Sequence, residues 1–205
     1  MQFLLEMVAT TSDDATRAKA AGASRLELCT ALEVGGVTPS PGCFFSVREA
    51  VSLPICVLIR PRPGNFVYSA GEFATLQRDA EWFLEQGATG IVTGALTAEG
   101  RIDRGRCADL AMLARGKIVF HRAFDEIADR LTALEELVDL GFERILTSGG
   151  AASAFEGCSE IARLVAAARG RIEILPGGGV RPHNAEQILR DTGCTQLHAS
   201  QWPVV

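Results

Sequence analysis

Eight short runs of β-forming apolar residues punctuate the chain, at residues 3–8, 25–29, 55–60, 90–94, 117–121, 144–147, 172–176 and 196–200. Each runs straight into polar, charged or glycine residues, and most are separated by enough sequence for an amphipathic helix. Leu76, Ala80, Phe83 and Leu84 recur at helical spacing in one interval, and Leu131, Leu134, Leu137 and Val138 do so in another. The intervals predict helices over about 10–21, 44–51, 71–86, 104–114, 127–140, 154–168 and 182–193, bounded by caps, prolines and glycines. Strands alternating with helices predict βαβ units and a parallel sheet. Eight such units predict one closed (β/α)8 barrel of the TIM type, a single domain over 1–205. Five residues follow the last strand, too few for an eighth helix. The barrel is therefore expected to lack a complete eighth helix and to leave apolar surface near Phe3, Leu197 and Trp202. Such surface favours a homodimer or higher homo-oligomer.

A barrel also predicts where chemistry sits, because the loops at the carboxyl ends of its strands build the active site. Those ends carry Glu6, Glu27, Arg60, His121, Thr147 and Gly177-Gly178-Gly179. Glu6 and Glu27 interrupt apolar strands, where a carboxylate is costly unless paired or hydrogen-bonded. They read either as acid/base catalysts and metal ligands or as structural partners of Arg25, Arg60 or Arg122. Arg60-Pro61-Arg62-Pro63 holds two guanidinium groups at a strand end, a fork suited to carboxylate or phosphate. The alternative is that both arginines brace local acids. His121 is an acid, base or ligand candidate, or else a satisfied core histidine, and Asp125 either orients it or holds Arg122. Gly177, Gly178 and Gly179 present bare backbone before a helix and suit an anion, and Thr147 and Ser148 add hydroxyls beside them.

Composition narrows the partners. Hydrophobic residues make up 47% and charged residues 22%, which excludes a disordered chain. The net charge of −5 argues against nucleic-acid and anionic-membrane partners. No apolar run approaches a membrane span, and Met1-Gln2-Phe3 lacks a basic leader, so a cytoplasmic protein is expected. The six cysteines form no C-x-x-C pair and read as free thiols filling the core, with Cys29, at a strand end, the exception. No nucleotide-cofactor fingerprint appears, so no nucleotide cofactor is expected.

Several motifs, taken in order, carry a resemblance. They are Arg25-Leu26-Glu27-Leu28-Cys29, Glu33-Val34-Gly35-Gly36-Val37-Thr38-Pro39-Ser40, Ile59-Arg60-Pro61-Arg62 and Phe66-Val67-Tyr68-Ser69. Further on come Gly94-Ala95-Leu96-Thr97, Phe120-His121-Arg122-Ala123-Phe124-Asp125, Arg144-Ile145-Leu146-Thr147-Ser148-Gly149 and Pro176-Gly177-Gly178-Gly179. Together they closely resemble the CutC copper-homeostasis family. The resemblance implies a cytoplasmic, oligomeric TIM-type barrel linked by name to copper control, with copper(I) as the ion and Cys29 as its ligand. Two departures stand out. Glu6-Met7-Val8 has no thiol where family members often carry one, leaving Met7 as a substitute soft ligand. After His198-Ala199-Ser200-Gln201 the chain stops, where the family continues into an arginine-bearing loop. Residues His198 and Ser200 join the ligand-binding candidates. Two functions stand side by side: a copper-linked protein that binds or helps distribute Cu(I), and an enzyme acting on a small anionic or phosphorylated metabolite at the barrel mouth.

Overall fold

The structure, a computed structural model, describes residues 3–203. Eight strands form one parallel sheet: β1 (Leu4–Ala9), β2 (Arg25–Leu28), β3 (Ile55–Leu58), β4 (Gly90–Thr93), β5 (Ile118–Phe120), β6 (Arg144–Thr147), β7 (Glu173–Pro176) and β8 (Gln196–Ala199). The helices between them are α1 (Ser12–Ala20), α2 (Pro41–Ala50), α3 (Ala70–Glu85), α4 (Arg104–Ala114), α5 (Arg130–Asp139), α6 (Cys158–Ala168) and α7 (Pro182–Thr192). The strand order is β7-β6-β5-β4-β3-β2-β1-β8, and a parallel bridge from Gly177 to His198 brings the two ends of the sheet together. The result is a nearly closed TIM-type barrel.

Local chemistry sets the helix ends. Ser69 and Glu72 cap α3 reciprocally, each side chain taking the other's backbone N–H. The helix expected from residue 44 begins at Pro41, because Ser40 accepts the Cys43 N–H and proline suits the first helical position. The one expected from 127 begins at Arg130, since Asp129 caps the Thr132 N–H while Arg122–Glu126 forms a separate 3-10 turn. The one expected from 154 begins at Cys158.

Strand alternation divides the core in two. Val8, Cys29, Cys56, Leu58, Val92, Val119, Leu146 and Leu175 pack as one cluster inside the ring. Leu5, Met7, Ala9, Leu26 and Leu28 belong to the larger layer under the helices. A one-residue slip of β1 would turn Glu6 and Val8 toward the helices, so this alternation pins the register.

Near β8 the outcome differs from the expectation of bare apolar surface. No helix follows β8 among the described residues. Even so, Leu197 is fully buried, and Trp202 packs edge-on against Phe3 with ring centroids 6.3 Å apart. The chain's own last described turn covers part of that face. No helix among the described residues is long and apolar enough to cross a membrane.

Candidate active site at the barrel mouth

A cavity of about 380 Å³ opens at the carboxyl ends of the strands. Its walls include Glu27 from β2, Arg60 after β3, His121 after β5, Gly178 and Gly179 after β7, and His198 and Ser200 from β8 and beyond. Six buried side-chain N or O atoms have no hydrogen-bond partner among the described residues, and three of them belong to this wall: Glu27 Oε2, Arg60 Nε and His121 Nε2. A buried polar atom left unpaired costs about 1–3 kcal/mol. Three such atoms around one cavity are the arrangement of groups that a ligand satisfies.

Glu6 joins the wall residues Glu27 and His198 in one cluster. Each offers a ligand atom, and these atoms lie within 4.8 Å of one another. Glu6 Oε1 lies 2.8 Å from His198 Nδ1, and Glu6 Oε2 accepts from Arg25 Nε. Burial alone would raise Glu6, but the hydrogen bond and charge of His198, then Arg25, hold it at about 2. Burial alone would lower His198, yet the Glu27 charge and the Glu6 hydrogen bond raise it above its ordinary value. Glu27 makes no such bonds. Burial pushes it up to about 7, with His198 and Arg25 opposing and Glu6 adding to the push. Two carboxylates in one pocket are thus driven apart, one fixed as an anion and one poised for proton exchange. The donor set is compact enough for a cation, and Glu6 gives one oxygen to His198 and the other to Arg25. The geometry is that of a hydrogen-bonded charge network.

The network continues downward. Arg25 Nη2 donates to Gln196 Oε1 at 3.1 Å, and Gln196 Nε2 donates to Glu173 Oε2 at 2.5 Å. These inward polar residues lie at the amino ends of their strands, and the alternation that marked Glu6 and Glu27 would have marked Arg25 and Gln196 too.

His121 is 5% exposed, and its Nδ1 accepts the Ala123 N–H at 3.3 Å. That leaves the ring proton on Nε2. Burial, then the nearby Arg60 charge, pulls its pKa down to about 3, so the imidazole stays neutral and a donor. Phe66 packs on the ring at a centroid distance of 4.5 Å. Gly94 makes the space: a Cβ there would sit 3.0 Å from His121 Cε1 and 2.9 Å from the Phe120 ring.

Asp125 does not orient His121. Its Oδ1 accepts from Thr147 Oγ1 at 2.5 Å and Gly150 N at 3.0 Å, and its Oδ2 takes Arg122 Nε at 2.8 Å. Ser148 N also reaches this carboxylate, at 3.1 Å, while Ser148 Oγ donates to Ala151 O at 2.7 Å and accepts from Arg122 Nη2 at 2.9 Å. Asp125, Thr147 and Ser148 therefore fasten the loop after β6 and hold Arg122. None of the three lines the cavity, whereas Arg122 does.

The arginine fork does not form. Arg62 turns onto Glu72 and donates to Asn65 O and Val67 O, each at 2.8 Å, away from the cavity. Arg60 reaches the wall, but its Nη1 donates to Gly36 O at 3.0 Å and its Nη2 to Gly64 O at 2.6 Å. Its Nε has no partner, and the guanidinium lies over the Phe66 ring, 4.8 Å from the centroid.

Gly177 keeps its backbone N–H on Thr147 O and lies behind the wall, where a Cβ would meet Leu146 at 2.5 Å. Gly178 and Gly179 line the cavity with φ of 100° and 70°, which side chains disfavour. Cys29 packs inside the barrel, beneath Gly36, and burial, then the Glu27 charge, pushes its thiol up to about 12. The apolar floor (Val8, Leu58, Leu146) and the overhanging Leu32 and Phe66 complete the cavity. Their composition reads as ordinary core, so no sequence signal singled them out.

Comparison with known proteins agrees with this architecture. The model of the CutC family matches residues 3–202. The human "Copper homeostasis protein cutC homolog" is 44% identical over 97% of this chain and 73% of its own length. A family protein CutC of Treponema denticola is 46% identical over 95% of this chain and 79% of its own length. A crystal structure of CutC from Streptococcus agalactiae superposes with a TM-score of 0.92 at 37% identity, covering 98% of this chain and 99% of that one. An aldolase, QR15, superposes with a TM-score of 0.72 at 13% identity over 95% of this chain and 89% of its own, a likeness of fold alone. By family model, by relatives and by fold, this chain belongs to the CutC family.

Proposed function

We propose that this chain takes part in copper homeostasis, as its relatives are named for, through a small polar organic ligand handled at the barrel mouth. The ligand is anionic, phosphorylated or carboxylated, and the chemistry is general acid–base, with Glu27 the exchanging carboxylate and Glu6 and His198 its fixed neighbours. The observation that carries this reading is that three residues lining one cavity, Glu27, Arg60 and His121, each keep a buried polar atom without a partner, Oε2, Nε and Nε2. Gly178, Gly179 and Arg122 supply the anion-facing part of the wall. The six free cysteines suit a reducing, cytoplasmic location.

Direct Cu(I) binding is the second reading, and it rests on the relatives' names and on Cys29. Cu(I) prefers thiolate or thioether ligands. Cys29 is buried with its thiol pushed up to about 12, and Met7 packs in the helix-facing layer. Thermal unfolding with phosphate, dihydroxyacetone phosphate and pyruvate, at constant ionic strength, tests the first reading, since a ligand of the folded state raises the transition. A shift that Arg122→Ala reduces supports it, and no shift with any probe overturns it. A Cu(I) competition titration tests the second: tight stoichiometric binding lost in Cys29→Ala would establish it. Self-association as a homodimer or larger homo-oligomer belongs to the same reading, supported by exposed Leu32, Val34 and Phe45. Light scattering at micromolar protein checks it, with a monodisperse monomer as the contrary result.

A further inference from the structure

We propose that the barrel mouth enolises a small carbonyl compound, with Glu27 as the base that removes a hydrogen from the carbon beside the carbonyl and His121 as the neutral donor that holds the carbonyl oxygen. The proposal rests on the reading of the cavity as a small-ligand site and names the reaction class.

Three observations converge on it. Glu27, on β2, and His121, after β5, stand on different walls of one cavity, each more than nine-tenths buried and each with an unpartnered polar atom. One atom is an acceptor and the other a donor. His121 Nδ1 already accepts the Ala123 N–H, so Nε2 carries the proton and has no acceptor within the described protein. A neutral imidazole N–H and a carboxylate base among the residues lining one cavity are the pairing that enolisation uses, because an imidazole donor stabilises a developing enolate without first giving up its proton. Arg60 Nε, also unpartnered, is the second donor on the wall and adds positive charge beside the oxygen.

The step balances without a cofactor. The Glu27 carboxylate takes the α-hydrogen as a proton. The C–H electron pair becomes the carbon–carbon double bond, and the carbonyl π pair moves onto oxygen, held by His121 Nε2–H and Arg60 Nε–H. Return of the proton to the same carbon restores the compound, or inverts that carbon if it arrives from the opposite face. His198 and Glu6 act as positioning residues: the first borders Glu27 and the second holds His198 by its Nδ1.

Proton NMR in D2O reads the step directly, as loss of the α-hydrogen signal. The probes are dihydroxyacetone, dihydroxyacetone phosphate, glyceraldehyde 3-phosphate and pyruvate, so that phosphate, carboxylate and uncharged substituents are separated. At least one probe is expected to exchange with the full chain, and Glu27→Gln is expected to slow that exchange about 10²–10⁴-fold, the usual weight of a general base. His121→Ala is expected to slow it about 10²–10³-fold, as for loss of an oxyanion donor, and His121→Gln, which keeps an N–H, to recover part of it. Circular dichroism verifies that each variant is folded. Should Glu27→Gln unfold, Glu27→Asp replaces it, with slowed exchange expected from the shortened carboxylate. Exchange by Glu27→Gln at the wild-type rate overturns the proposal. A thermal shift with a probe but no exchange of any probe also overturns it, and leaves the small-ligand reading standing. Neither shift nor exchange overturns both.

Discussion

Glu6 and His198 face each other in register on the neighbouring strands β1 and β8, with Glu6 Oε1 2.8 Å from His198 Nδ1. Their separation in sequence is nearly the length of the chain, so this contact exists only once the barrel has closed. It joins the first strand to the last, and through Arg25 it joins the second. Removing one member leaves the others buried without compensation, which costs far more than the pair contributes against an apolar replacement. Glu6→Gln is therefore expected to destabilise the protein by about 3–5 kcal/mol in urea unfolding. A loss under about 1 kcal/mol would mean that water already screens the site.

Acid and alkali should weaken the fold through different members of this group. Glu6 is lowered from 4.5 to about 2, so its contribution is complete above pH 4.5 and disappears as pH falls toward 2. His121, lowered from 6.5 to about 3, loses its contribution as pH falls from 6.5 toward 3. Glu27 runs the other way: raised from 4.5 to about 7, it favours folding below 4.5 and loses that effect as pH rises through 7. His198, raised above 6.5, adds to the loss on the alkaline side. Between 4.5 and 6.5 the rise from His121 and the fall from Glu27 oppose each other, so stability is expected to plateau there. Glu27→Gln removes the fall and should leave stability rising with pH across that range, with the loss below 4.5 in place. A profile unchanged by that substitution would show that burial and the Glu6 charge do not raise Glu27 as described.

Gly94 tests the placement of His121. A Cβ at this position would lie 2.9 Å from the Phe120 ring and 3.0 Å from His121 Cε1. Gly94→Ala is expected to cost about 1–3 kcal/mol by overpacking. It should also diminish any ligand-induced thermal shift, because the ring that moves is on the cavity wall. Loss of stability with the shift intact would separate His121 from binding.

The two arginines of the Arg60-Pro61-Arg62-Pro63 segment should behave differently. Arg62 is committed to Glu72 and the 65–67 backbone, outside the cavity. Arg62→Ala is expected to leave a phosphate-induced thermal shift unchanged, whereas Arg122→Ala reduces it. Equal effects of both substitutions would put the anion elsewhere on the rim.

Cys29 should be a poor nucleophile and a poor copper ligand. Its thiol is buried and pushed up to about 12, and the thiolate is the form that reacts. Alkylation of Cys29 by iodoacetamide, followed by mass spectrometry, is expected to lag behind that of half-buried Cys43 and Cys158. Preferential labelling of Cys29 would show that the loop carrying Gly35 and Gly36 opens readily.

The eight-fold alternation of apolar runs and helical intervals by itself determined the barrel and the end at which Glu27, Arg60, His121 and the glycine turn gather, while His198 came from the family resemblance. This works because strand and helix periodicities are local properties of neighbouring residues. Glu6 and Glu27 stood out as carboxylates interrupting apolar strands, and the register of the closed sheet put both on the face inside the ring. Which polar groups stay free was beyond the alternation. Arg60 and Arg62 look alike in sequence, yet one spends its donors on Gly36 and Gly64 and the other on Glu72. Asp125 looks like a partner for His121 and instead fastens the loop after β6. Hydrogen-bond partners come from segments far apart in the chain, and burial depends on all of them together. Only the closed barrel therefore decided that Glu27 and His121 would be left unpaired on one cavity, and that Glu6 and Glu27, two carboxylates on adjacent strands, would titrate so differently.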